Sequence, residues 1–325
     1  MNIKIDDIIV EVFEGETILQ VAQRLGKKIP AMCYAEGTEH QPSCMVCMVK
    51  DLGSGQMIPA CSSVPEEGMN IDTQSEEVRE MRRLSLELLL SDHRADCEAP
   101  CNMVCPKKLD VEKMLYYWDH LRYEEARGVL ATVFQLPAVG CDDCKRPCEK
   151  ACRRGTVDKH VEIVEIIHQL AGMTDVPVKM GKMENREEDS PKQKPFSSRI
   201  GRFSEKEKEW LKASVDTPST CLHCACQAQN DCKLRQYATE SGIRVSRYGV
   251  SSDLPFKVKK RVTGRLWFEP AKCIRCGLCV YNTHDGFTFK GRGFGMQVVI
   301  PGESCGNVTE DVAKLCPTGA LYIED

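Results

Sequence analysis

The chain has 325 residues and sets 44 basic against 48 acidic side chains, for a formal net charge of −4. That balance gives no drive towards nucleic acid or an anionic membrane surface, and no run reaches the roughly 18 apolar residues that span a bilayer. The length allows two or three domains, and 20 cysteines set the chemistry they carry. Met1-Asn2-Ile3-Lys4-Ile5-Asp6-Asp7 lacks an apolar signal core, so a cytoplasmic location is expected. Thiols stay reduced there, and clustered cysteines read as metal ligands rather than disulfides.

Ile3, Ile5, Ile8, Val10 and Val12 roughly alternate with polar residues, Ile9 breaking the pattern. Two short strands turning at Asp6-Asp7 are expected. Thr17 is placed to cap a helix with Ile18, Val21, Ala22 and Leu25 on its apolar face and Gly26 at its end. Cys33, Cys44, Cys47 and Cys61 follow, spaced C-x10-C-x2-C-x13-C. Four thiolates on loops can hold one [2Fe-2S] cluster; the bland alternative is four unlinked buried cysteines. The stretch resembles the N-terminal ferredoxin domain of the G subunit of NADH:quinone oxidoreductase and of iron-only hydrogenases. The resemblance implies a β-grasp [2Fe-2S] ferredoxin domain over 1–74.

Residues 75–91 read as a helix capped by Ser75, with Val78, Met81, Leu84 and Leu88 on one face. It leads to His93 and Cys97. In the same two families a leucine-rich helix precedes His-x3-Cys-x2-Cys-x5-Cys, a [4Fe-4S] site; His93-x3-Cys97 matches it and the next spacings do not. Cys101-x3-Cys105-Pro106 comes next. Two helices are expected over 111–120 and 124–134, with Tyr116, Tyr117, Trp118 and Leu121 as bulky core surface and Leu136-Pro137 as the stop. Cys141, Cys144, Cys148 and Cys152 follow, then a helix over 161–171. This pattern resembles the N-terminal helical domain of the glutamate synthase small subunit. It implies a helical domain over 75–171 with two interleaved [4Fe-4S] clusters: Cys97, Cys101 and Cys152 in one, Cys105, Cys144 and Cys148 in the other. Cys141 or His93 would complete the first, and Glu165 or His168 the second; non-ligand roles for these lone residues stay open.

Residues 172–218, with Glu184-Asn185-Arg186-Glu187-Glu188-Asp189-Ser190-Pro191, read as a charged linker. The strand, Gly-x-Gly-x-x-Gly and helix of a dinucleotide fold are missing, and Gly291-Arg292-Gly293-Phe294-Gly295 has the wrong spacing. No flavin or NAD(P) is expected on this chain. Cys221, Cys224, Cys226 and Cys232 are spaced C-x2-C-x-C-x5-C, as for a [4Fe-4S] cluster or a zinc ion. The tail Cys232-Lys233-Leu234-Arg235 resembles the end of the histidine-containing motif in the same G subunit family. Cys273, Cys276 and Cys279 form C-x2-C-x2-C, and Cys316-Pro317 follows at a distance. In two-cluster ferredoxins the fourth ligand comes from the other run, which makes Cys316 the partner and Cys305 the remnant of a lost second site.

The expected architecture is α+β and multidomain. A ferredoxin domain precedes a helical double-[4Fe-4S] domain, and after the linker a C-terminal ferredoxin-like region over 219–325 carries two [4Fe-4S] clusters. One [2Fe-2S] and four [4Fe-4S] centres use 19 of the 20 cysteines. No nucleophile triad or phosphate loop is present. The resemblances imply an electron-transfer subunit of a multi-subunit, anaerobic oxidoreductase of hydrogenase, formate dehydrogenase or transhydrogenase type. Its partners would be a flavin/NAD(P)H-oxidising subunit and a catalytic or bifurcating subunit, with soluble ferredoxin as a further candidate. The rival reading is a zinc-rich scaffold or assembly module without redox function.

Overall fold

A computed structural model describes residues 1–93, 96–180, 205–214, 217–226, 231–243, 248, 259–302, 306 and 308–324. The chain divides into two compact units, one made of Met1–Arg94 with Asn230–Asp325 and the other of Ala95–Gln229. The second unit is therefore an insertion in the first. Compactness follows contacts that rejoin the two ends of the chain, whereas motifs order residues along it.

Strands β1 (Asn2–Ile5) and β2 (Ile8–Glu11) form a hairpin. Its two-residue turn puts Asp6 and Asp7 at φ 44° and 71°, a left-handed geometry that Asp tolerates. Helix α1 (Ile18–Arg24) starts in a reciprocal capping box between Thr17 and Gln20, which satisfies two otherwise orphaned backbone donors. Strands β3 (Met48–Asp51), β4 (Met57–Pro59) and β5 (Asn70–Asp72) complete a sheet of order β2-β1-β5-β3-β4, with β5 parallel to β1. Ile3, Ile5, Val49 and Ile71 of the sheet share one core with Ile18, Leu19 and Val21 of α1. Helix α2 (Glu76–Asp92) starts at Ser75, whose hydroxyl accepts the Val78 N–H. Val78, Leu86 and Leu90 are buried, whereas Leu88 is 49% exposed. The expected face was out of phase because leucines at 84, 86 and 88–90 leave the helical period underdetermined.

The inserted unit is helical. It contains α3 (Pro100–Val104), α4 (Val111–Asp119), α5 (Tyr123–Ala131), α6 (Pro147–Lys150), a 3-10 turn at Arg153–Thr156, α7 (Ile163–Gly172) and α8 (Glu205–Ser214). Met114, Leu115, Leu130, Ile163, Ile167 and Leu170 share its core. Tyr117 and Trp118 pack only at the margin of that core. Leu121 is 64% exposed, because the chain turns there through φ 57° and α5 starts afresh. Two parts of the expected linker are packed. The Lys179 N–H bonds the Glu124 carbonyl at 3.1 Å, and a Cβ on Gly128 would lie 2.0 Å from the Lys179 oxygen. Leu211 of α8 is buried, and its carbonyl accepts from Arg154 at 3.3 Å. The acidic run 184–191 lies outside the described residues.

Back in the first unit, α9 (Lys233–Glu240) precedes β6 (Lys260–Thr263), β7 (Leu266–Phe268), α10 (Leu278–Tyr281), β8 (Thr288–Lys290), β9 (Gln297–Val299) and β10 (Leu321–Ile323). β10, β7 and β6 form an antiparallel sheet, and β8 pairs with β9. Leu266, Phe268, Phe287 and Leu321 lie in the core beneath them. The glycines at 291–295 serve the β8–β9 turn: Gly291 stands at φ 83°, and a Cβ there would meet the Gly295 carbonyl at 2.7 Å. Cys305 lies outside the described residues. Among the described residues no helix is long and apolar enough to cross a membrane.

Candidate metal centres

Cys33, Cys44, Cys47 and Cys61 are all buried. Cys47 stands at the start of β3 and Cys61 just beyond β4. The Cys33 sulfur is in hydrogen-bonding reach of Cys44 and Cys61, and Cys47 reaches Cys61. Thiol donation from Cys44, then Cys61, holds Cys33 far below the ordinary thiol range, while hydrogen bonding to Cys33 pushes Cys44 and Cys61 up. Four such thiols cannot all ionise alone, and multinuclear iron bound as thiolates removes that conflict. The nearby backbone N–H groups of Ser43 and Cys44 act on Cys33 in the same downward direction. Arg82 reaches over from α2: its Nε donates to the Met48 carbonyl at 2.8 Å, and its charge acts on Cys47. Its Nη2 is buried without a hydrogen-bond partner.

In the inserted unit, Cys105, Cys141, Cys144 and Cys148 line a cavity of about 230 Å³ walled by Leu109, Phe134, Val164 and Ile167. Burial pushes Cys148 up to about 11, and burial followed by the Cys144 and Cys105 charges raises Cys141. Cys141, for which the resemblance left a place beside Cys97, Cys101 and Cys152 open to it or to His93, thus lines the cavity of Cys105, Cys144 and Cys148. Glu165 is exposed and accepts from Gln169, and His168 pairs with Asp142 at 3.1 Å. Neither lines the cavity, because their helix turns Val164 and Ile167 inward instead. Glu149 fixes the Cys148 turn by accepting the Val164 N–H at 3.0 Å at the start of α7, where a carboxylate suits the helix dipole.

Cys101 and Cys152 meet different partners. The charges acting on Cys101 come, in order, from Cys221, Cys224 and Cys152, after burial itself, and together they push its thiol well up. Cys221 also acts on Cys152, whose thiol burial raises. Cys101, Cys221 and Cys224 share one buried core, with Cys152 packed against it. His223, between the two downstream cysteines, is held by α4. Its Nε2 bonds Asp119 at 3.0 Å and its Nδ1 faces Glu112 at 3.3 Å. Burial opposes its protonation, but the Asp119, Cys221 and Glu112 hydrogen bonds outweigh it and raise the pKa to about 12. Asp119 also accepts from the Ser219 N–H (2.9 Å) and hydroxyl (2.6 Å). Asp119, Glu112, Ser219 and His223 escaped the sequence analysis. The only sequence signal was His223 inside C-x-H-C, which alone says nothing of Asp119.

Cys273, Cys276, Cys279 and Cys316 gather in the first unit. Burial raises Cys273 to about 12 and pushes Cys276 and Cys279 higher still, with the charge of Cys316 or Cys273 next. Left-handed residues Arg275 (φ 57°) and Gly277 (φ 82°) wrap the loop. Backbone N–H groups of Arg275 and Leu321 reach the Cys273 and Cys316 sulfurs at 3.4 Å. The Cys33 charge acts on Cys276, and Glu39 and Asn282 exchange backbone and side-chain bonds of 3.1 and 2.7 Å. These two sets of thiols are neighbours.

Four candidates remain. His93 is buried at the end of α2. Cys232 caps α9, its sulfur accepting the Arg235 N–H at 3.4 Å. In the inserted unit, the Cys226 N–H bonds the Cys97 carbonyl at 3.2 Å. Among the described residues no three His, Cys, Asp or Glu side chains close around a single ion. Zinc holds sulfur at about 2.3 Å, a tighter grouping than a multinuclear cluster requires.

Residues 1–76 match the family described as 2Fe-2S iron-sulfur cluster binding domain. This segment is a [2Fe-2S] domain. Cys33, Cys44, Cys47 and Cys61 are its four cysteines, and their geometry suits the cluster. The chain is 30% identical over 175 residues to the second G subunit of NADH-quinone oxidoreductase from Rhizobium meliloti (strain 1021), covering 50% of this chain and 20% of that protein. It is 37% identical over 117 residues to NADP-reducing hydrogenase subunit HndD of Solidesulfovibrio fructosivorans, covering 34% and 19%. It is 29% identical over 154 residues to the NADH-ubiquinone oxidoreductase 75 kDa subunit of Reclinomonas americana, covering 45% and 22%. The chain thus spans about a fifth of the length of these curated relatives. A crystal structure of NAD+-reducing [NiFe]-hydrogenase in the H2-reduced state matches with TM-score 0.54 at 17% identity, over 99% of this chain and 87% of that one. At that identity the likeness is one of fold.

Proposed function

We propose that the chain is an iron–sulfur electron-transfer subunit of an NADH- or NADP-linked oxidoreductase complex. It relays single electrons between a flavin/NAD(P)H-oxidising subunit and a catalytic or bifurcating subunit of hydrogenase, formate dehydrogenase or transhydrogenase type. The setting is cytoplasmic and anaerobic, and soluble ferredoxin is a further candidate partner. The observation that carries the reading is the adjacency of Cys33 and Cys276, which brings the [2Fe-2S] thiols beside a second four-thiol set. The relatives, themselves named as oxidoreductase or hydrogenase subunits, support it. The clusters supply one-electron redox chemistry. The protein's own residues bury the sulfurs, aim N–H groups at them, and hold neighbouring centres at fixed spacing.

The ligand reading gives [2Fe-2S] at Cys33, Cys44, Cys47 and Cys61, and [4Fe-4S] at Cys273, Cys276, Cys279 and Cys316. Cys105, Cys141, Cys144 and Cys148 form another [4Fe-4S] set. The other eight candidates (His93, Cys97, Cys101, Cys152, Cys221, Cys224, Cys226 and Cys232) match two more clusters in number. Anaerobically purified protein is then expected to hold about 18 iron atoms, from one two-iron and four four-iron centres, with a visible band bleached by dithionite. About half that iron with stoichiometric zinc would favour the scaffold reading. Reduction by NAD(P)H is expected only after a flavoprotein partner is added; reduction by the purified chain alone would refute the relay role.

A further inference from the structure

The pair Cys221 and Cys224 belongs by sequence to C-x2-C-x-C-x5-C, yet its surroundings in the inserted unit are those of other cysteines. Cys101 lies on the short helix α3, and Cys152 immediately before the 3-10 turn at Arg153–Thr156. Helix α4 ties these segments together. At its start, Asn102, next to Cys101, accepts the Glu112 N–H at 2.9 Å and donates to Asp110 at 2.7 Å. At its end, Asp119 clamps Ser219 and His223, and the Ser219 hydroxyl accepts the Cys221 N–H at 3.1 Å. On the Cys152 side, Arg153 forms a two-bond pair with buried Asp96, at 3.1 and 3.2 Å.

We propose that Cys101, Cys152, Cys221 and Cys224 hold one [4Fe-4S] cluster inside the inserted unit, so that the downstream C-x2-C pair is divided from Cys226 and Cys232. The assignment rests on the reading of the chain as an iron–sulfur relay. Four thiols from three separated segments converge in one apolar core, and each of them would be a costly isolated charge without metal. Cys226, whose N–H bonds the Cys97 carbonyl, is assigned with Cys97 to a separate centre. The site has no redox step of its own beyond gaining and losing one electron.

The test replaces each cysteine singly by alanine in the full chain, purified anaerobically, and reads iron per chain and the EPR spectrum of the reduced protein. Cys101→Ala, Cys152→Ala, Cys221→Ala and Cys224→Ala are each expected to lose about four irons and the same EPR component. The Cys101→Ala/Cys221→Ala double variant should lose no more than either single. Cys226→Ala and Cys232→Ala should leave that component intact. If Cys221→Ala and Cys224→Ala instead remove the component lost in Cys226→Ala and Cys232→Ala, the assignment is overturned. Zinc in place of iron with the same four-way grouping would uphold the ligand set while refuting the relay. Should a variant fail to fold, ferricyanide oxidation of the wild-type chain and disulfide mapping decides. Links from Cys101 or Cys152 to Cys221 or Cys224 support the set, and links of Cys221 and Cys224 only to Cys226 or Cys232 refute it.

Discussion

Asp119→Ala should loosen the Cys221–Cys224 loop while leaving the rest of the inserted unit folded. The Asp119 side chain is fully buried, and its two oxygens take three hydrogen bonds, from the Ser219 N–H, the Ser219 hydroxyl and His223 Nε2. Removing one partner of a buried ion pair costs about 3–5 kcal/mol, chiefly by stranding the other charge. His223 retains some access to water, with 14% of its side chain exposed, and Glu112 on its other ring nitrogen, so the lower figure of about 3 kcal/mol applies. At about 1.4 kcal/mol per decade, the opening equilibrium of the loop rises roughly a hundredfold. Amide hydrogen exchange under anaerobic conditions reads this directly. The Ser219 amide, bonded to Asp119, and the Cys221 and His223 amides, bonded within the loop, should exchange about a hundred times faster, with the α5 and α7 amides unchanged. Asp119→Asn, which keeps acceptor and volume but not the charge, should fall between. Unchanged protection at 219–223, or an equal rise throughout the unit, would refute the clamp.

Other perturbations probe separate parts of the argument. Gly128→Ala sets a methyl 2.0 Å from the Lys179 carbonyl, so the 179 segment must leave α5; a loss of about 1–3 kcal/mol in thermal unfolding is expected, with exposure of the Lys179 amide. Glu125 is held down to about 2 by the Arg122 hydrogen bond first and Lys179 after it. Its contribution is complete above the ordinary 4.5 and lost as pH falls towards 2, so protection of the Lys179 amide should be flat from pH 7 to 5 and decline below 4.5. Arg82→Leu withdraws a positive charge from beside Cys47 and should make the [2Fe-2S] midpoint potential more negative in a redox titration; an unchanged or raised potential would remove Arg82 from the tuning of that centre. Cys141→Ala should lose the EPR component lost in Cys105→Ala and Cys148→Ala, whereas His168→Ala should retain it.

The ββα opening was legible because it is local. The Asp6-Asp7 turn and the Thr17 cap follow from residue chemistry within a few positions, and the hairpin and α1 stand where the pattern put them. Helix ends were less so: α5 stops at Ala131, three residues short of Phe134, because nothing between them breaks a helix. The charged composition of 172–218 hid the packed segment at Lys179 and helix α8. Exposed charges dominate its described residues, among which a backbone contact against Gly128 and the buried Leu211 do the packing.

Which thiols cluster along the chain was legible, and which ones the fold brings near each other was not, for a physical reason. Cysteine spacing measures distance along a loop, and a loop can turn one thiol into a core and the next away from it. Between Cys224 and Cys226 only Ala225 intervenes, yet the His223 clamp to α4 fixes the first pair into the core of Cys101, while Cys226 bonds the backbone of Cys97. Cys141 makes the same point from the other side. It lies three residues before Cys144, and the resemblance left it as an extra thiol that, or else His93, could complete another set; the cavity walls from Leu109, Phe134 and Ile167 bring it to Cys105 and Cys148. Polar anchoring beside a cysteine run, here of Ser219 and His223 on Asp119, directs which core its members enter. A sequence pattern that counts only thiols carries no trace of Asp119, 102 positions before Cys221 (221 − 119).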